Sequence, residues 1–105
     1  MILAQRVITS EQIERELRTC FVMMEELEDV AKGWDDLPGD DMVDWQVEWD
    51  ECMQVVRSVL EVAYRSGQMV AVQEARYREL ILVMKGHVAL IEELGITAPV
   101  VELDI

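Results

Sequence analysis

The chain has 105 residues, with 22 Asp or Glu against 9 Lys or Arg, and a formal net charge of −13 at pH 7. That length supports one domain with a real core and excludes two folded halves; the charge excludes direct binding to DNA, RNA or anionic lipid, whose phosphates the protein's own field repels. Although 51% of the residues are apolar, no uninterrupted run is long enough to span a bilayer. The start of the chain lacks the length and cleavage pattern of a signal peptide, so a cytoplasmic protein is expected.

The first predicted helix covers residues 10–33. Thr9-Ser10-Glu11-Gln12 is a capping box, with Ile8 and Ile13 as a hydrophobic staple around it. From there Ile13, Leu17, Cys20, Met24, Leu27, Ala31 and Trp34 step alternately by four and three, which is a heptad seam. On the outer side Glu11–Arg15, Glu14–Arg18 and Glu28–Lys32 are acid-before-base pairs at the spacing that supports an exposed helix face. The segment from Gly33 to Asp40 breaks the helix. Leu37-Pro38-Gly39-Asp40 reads as a turn in which Pro38 fixes φ and Gly39 supplies a positive φ. Asp40 or Asp41 is then the expected N-cap of the next helix, with Asp44 adding negative charge near the positive end of its dipole.

The second helix, over 41–65, repeats the seam with Met42, Trp45, Trp49, Cys52, Val56, Val59 and Ala63. Val55, Leu60 and Val62 widen its apolar face, so it must touch two neighbours. Gly67 suits the left-handed position that ends it. The third helix is predicted over 68–94, with Tyr77, Leu80, Ile81, Met84, Val88, Ile91 and Leu94 inward. Gly95-Ile96 stops it, Ile96 folding back onto Ile91 as in a Schellman motif. An extended, apolar tail over 96–105 is expected to pack on the helices or reach a partner subunit. The economical architecture is an all-α, antiparallel three-helix bundle with heptad seams, dimerising into a larger bundle. Folding the first two helices into a hairpin centred near Leu37 brings Cys20 within one turn of Cys52. Two buried, reduced cysteines fit a reducing compartment.

The charge is local. Residues 25–51 hold twelve carboxylates, one base (Lys32) and all three tryptophans, a net −11, whereas the remaining ten acids and eight bases come to −2. An acidic patch with aromatics reads as a docking place for a cation, either a basic protein surface or a metal ion. Trp45 and Trp49 fall on the seam, which leaves Trp34 as the aromatic expected to be exposed. Met23 and Met53 are candidates for an adaptable binding surface. The lone histidine, His87, has no carboxylate three or four residues away and is expected to be a boundary residue satisfied by a neighbour. The Asp-rich loop lacks the ligand spacing and terminal glutamate of an EF-hand, so its acids are expected to be solvated.

Paired carboxylates are the one lead toward catalysis. Met24-Glu25-Glu26-Leu27-Glu28-Asp29 is followed, eighteen residues on, by Glu48-Trp49-Asp50-Glu51. Over residues 24–67 this arrangement resembles the MazG-type all-α nucleotide pyrophosphohydrolases, whose motif is Glu-Glu-x-x-Glu on one helix and Glu-x-x-Asp on the next. Here the last acid of each half is exchanged. The resemblance implies magnesium-dependent hydrolysis of a nucleoside triphosphate, with Glu25, Glu26, Asp29, Glu48 and Glu51 as metal ligands. Helix geometry places Glu25 about 130° and Asp29 about 170° from the seam, on the solvated side. The residues themselves therefore favour a cofactor-free protein that binds another protein bearing a basic surface. Trp34, Asp35, Asp36, Asp40, Asp41 and Asp44 are the candidate contacts. The hydrolase is the alternative.

Overall fold

The computed structural model describes residues 7–99, and their regular structure is entirely helical. Helix α1 spans Ser10–Lys32; a single 3₁₀ turn, Trp34–Asp36, leads into α2, Gly39–Val55. A π turn at Val56–Leu60 carries the same rod into α3, Glu61–Arg65. Helices α4, Ala71–Gly86, and α5, Val88–Leu94, complete the chain. None of these helices is long and apolar enough to cross a membrane. Of the tail, only residues up to Pro99 are described, so the contacts expected of Val100 to Ile105 lie outside the described residues.

Local chemistry explains most of the boundaries. The Thr9 hydroxyl accepts from the Gln12 backbone N–H at 3.1 Å, and Ile8 and Ile13 are both buried beneath that cap. Gly67 and Gly95 take the left-handed conformation at φ 75° and 70°. Each is followed by a residue whose N–H reaches back five positions, Gln68 to the Ala63 carbonyl and Ile96 to that of Ile91.

Four features depart from the sequence expectation. Gly39 has no positive φ and is the first residue of α2, and Pro38, extended at ψ 144°, takes the N-cap position. Asp40 and Asp41 therefore sit in the first helical turn, where they complement the dipole without capping. The π turn was not foreseen; by inserting one residue into the helical phase it lets the neighbours Val59 and Leu60 both turn inward. The third helix begins at Ala71 and is broken at His87, where Gly86 lowers helix propensity and the His87 N–H turns to the Met84 carbonyl. On the outer face of α1, Glu14 reaches across to Arg76 and Glu28 to His87, in place of the pairings with Arg18 and Lys32.

The core follows the seams. Ile13, Leu17, Cys20, Met24 and Leu27 of α1 are buried against Trp45, Trp49, Cys52, Val56 and Val59 of the second rod and Tyr77, Leu80, Ile81, Met84 and Ile91 of the third. Met23 and Met53, expected on the surface, belong to this core as well. Helix α1 lies between the π turn and α4, touching both. Ser10 and Glu14 at its start meet Gln73 and Arg76 at the start of α4, while Glu28 near its end meets His87 at the end. The two helices thus run in the same direction. The described molecule measures 52 × 26 × 21 Å, and the α1–α2 connection forms one of its ends.

Candidate functional site

All twelve carboxylates of residues 25–51 are exposed. Asp35 and Asp36 sit in the 3₁₀ turn, Asp40 and Asp41 open α2, and Asp44 follows one turn later. Glu48, Asp50 and Glu51 continue the charge along α2, so the patch extends roughly 18 Å from the tip at about 1.5 Å per helical residue. Lys32 is the only base within this stretch of sequence.

Beneath the tip the tryptophans form one cluster. Trp45 stacks on Trp49 with ring centroids 5.5 Å apart, and Trp34 meets Trp45 edge-on at 6.0 Å. Trp34 is therefore half-buried and held in place, not the free exposed aromatic that the loop composition suggested. The Trp49 indole N–H donates to the Thr97 carbonyl at 2.7 Å, and the Thr97 hydroxyl donates to Asp50, so the segment after α5 is tied to α2. Among the described residues, the Trp45 indole N–H is the one buried side-chain donor without a partner.

The five carboxylates of the hydrolase motif lie on different parts of the surface. Glu25 borders a concavity of about 320 Å³ between α1 and α4, floored by Phe21, Met24 and Val83 and edged by Glu28, Glu79 and His87. Glu48 and Glu51 instead border a smaller one between α1 and α2. Among the described residues, no three His, Cys, Asp or Glu side chains come together as a metal-binding group. A shared magnesium ion needs several oxygens converging on one point, and within the described chain these five carboxylates are spread apart.

His87 was expected to be satisfied by a neighbour, and both of its ring nitrogens have partners. Nδ1 is 2.7 Å from the Val83 carbonyl and Nε2 3.1 Å from the Glu28 carboxylate. Both partners are acceptors, so each ring nitrogen faces an oxygen that can take its N–H. The carboxylate comes from another helix, so no spacing rule along the sequence could have found it. Compared with known protein families, curated proteins and solved structures, the chain matches none.

Proposed function

We propose that this protein is a small, antiparallel three-helix bundle that acts by binding another protein, presenting its anionic end to a basic surface. The observation that carries the reading is the exposure of every carboxylate between Glu25 and Glu51, from the tip of the fold back along α1 and α2. Asp35, Asp36, Asp40, Asp41 and Asp44 supply the charge. Trp34, already ordered against Trp45, supplies an apolar contact that loses little entropy on binding. In its sharpest form the protein is an adapter or inhibitor that imitates the charge of a nucleic acid and occupies the basic groove of a cytoplasmic DNA- or RNA-binding protein. The chain acts as a homodimer, pairing through α4. There Val72 and Leu82 are exposed, and residues 71–94 carry four carboxylates against three cations, so two copies meet with little repulsion.

The test is to isolate partners by cross-linking in cells and measure their affinity against salt. Binding should weaken steeply with ionic strength. Changing Asp35, Asp36, Asp40 and Asp41 together to Asn should weaken it roughly tenfold or more while the helical spectrum is kept. Affinity indifferent to both salt and the four substitutions would sink the proposal. So would magnesium-dependent release of pyrophosphate from a nucleotide panel that Glu48→Gln abolishes, since that result belongs to the hydrolase.

A further inference from the structure

Cys20 on α1 and Cys52 on α2 are both buried and both free thiols, and the Cys52 Sγ–H donates to the Cys20 Sγ at 3.2 Å. A disulfide needs its sulfurs at about 2.05 Å, so closing this pair takes a movement of about 1 Å, within reach of side-chain rotation. The pair lies at the edge of a space that solvent can enter. Both cysteine residues line a concavity of about 200 Å³ between the two helices, edged by Glu16, Thr19, Glu48 and Glu51. Cys52 keeps 4% of its surface exposed and Cys20 none, so a reagent entering the concavity meets Cys52 first.

We propose that Cys20 and Cys52 are a reactive dithiol that reduces small, neutral or cationic disulfides and closes into a bridge between α1 and α2. The three glutamates at the mouth set the charge preference: an anionic reagent is repelled and a cationic one is concentrated. In the first step Cys52 loses its proton to solvent and its thiolate attacks one sulfur of the small disulfide. The S–S bond of the reagent breaks, one half leaves as a thiolate and takes up a proton, and the other half stays on Cys52 as a mixed disulfide. Cys20 then gives up its proton and attacks the Cys52 sulfur, expelling the second half as a thiol. Two protein thiols are oxidised to one disulfide, and the reagent is reduced to two thiols.

The hydrogen bond between the two sulfurs, in which Cys20 becomes the donor once Cys52 has lost its proton, and then burial push the Cys20 thiol well above its usual range. Cys20 therefore stays protonated and waits as the resolving partner, while the initial attack falls to Cys52. A bridge between residues 20 and 52 would also fix the spacing of the two helices that carry the anionic patch.

The experiment treats the folded protein with cystamine, a dicationic disulfide, and separately with oxidised glutathione, which is anionic. Intact mass and thiol alkylation are followed. With cystamine, the protein should lose the mass of two hydrogens and both alkylatable thiols, with no adduct retained. It should react roughly tenfold faster than with oxidised glutathione at low salt, and the two rates should converge as salt is added. Cys20→Ala should keep one cysteamine adduct on Cys52, and Cys52→Ala should leave Cys20 unmodified. If both thiols of the folded wild-type protein stay alkylatable after cystamine, or react only once denatured, the dithiol is inert packing. Equal rates with the two reagents would overturn the charge gate. The wild-type measurement alone decides the central claim, whatever the folding of the variants.

Discussion

The two ends of the molecule solve opposite problems. At the end where α1 and α4 begin, polar groups are held by one another. The Gln73 side chain, 1% exposed, accepts from the Val70 N–H and donates to the Ser10 hydroxyl and the Glu14 carboxylate, and Arg76 closes the group through Glu14. Gln68 accepts from the Ile8 N–H and donates to Ser66. At the opposite end, where α1 hands over to α2, the carboxylates face water and the buried Trp45 N–H has no partner. Charge compensated inside the fold adds rigidity, while charge left hydrated keeps its interaction energy for something outside. On the proposed function, the contrast assigns stability to one end and recognition to the other.

The strongest way to break this contrast is at Gln73. Gln73→Ala should cost about 2–4 kcal/mol, because it removes a buried side chain that accepts from the Val70 N–H and donates to Ser10 and Glu14. Denaturant titration reads this directly; a loss below about 1 kcal/mol would mean that water replaces the side chain and the end is not fastened as described.

Alkaline titration gives a smaller effect in the same half. Tyr77, 1% exposed, stacks on Tyr64 with centroids 4.8 Å apart. Burial, helped by the nearby Glu61, pushes its phenol from 10.0 up to about 12. Below pH 10 the phenol is neutral whether the chain is folded or not, and the full stability is present. Between about 10 and 12 the unfolded chain ionises first, so stability falls as pH rises, by about 2–3 kcal/mol in all. In Tyr77→Phe that slope should flatten. An unchanged slope would place the alkaline limit elsewhere.

How much of this was legible in the sequence depended on how far apart the deciding residues lie. The heptad steps found nearly every buried residue of α1, because burial on one helix is a periodic property. Local caps at Thr9, Gly67 and Gly95 were legible for the same reason. The π turn was not, since heptad spacing on both sides of Val56–Leu60 stays apolar whichever phase the helix takes. Gln73 carries no local mark of its role. Its partners Ser10 and Glu14 are some sixty residues distant. Along the acidic stretch, the exposure of the carboxylates could be read from composition, but the position of Trp34 needed the fold. Its partner Trp45 lies across a turn whose geometry hinged on Gly39 being helical.

The smallest expected effect tests the contrast inside the tryptophan cluster itself. Trp45 and Trp49 are stacked neighbours one turn apart on α2, so truncating either to Phe removes a similar amount of buried ring. They differ in the polar handle. Trp49 holds the Thr97 carbonyl, whereas the Trp45 N–H is buried with no acceptor. Trp49→Phe loses both area and a hydrogen bond, and it frees the segment after α5. Trp45→Phe loses area but also relieves an unsatisfied donor, whose burial costs about 1–3 kcal/mol. The two contributions oppose each other, so Trp45→Phe should stay within about 1 kcal/mol of the wild type, with Trp49→Phe falling clearly below both. Equal losses at the two positions would show that the Trp45 N–H is satisfied in solution, and that polar groups are no less complete beneath the anionic tip than at the fastened end.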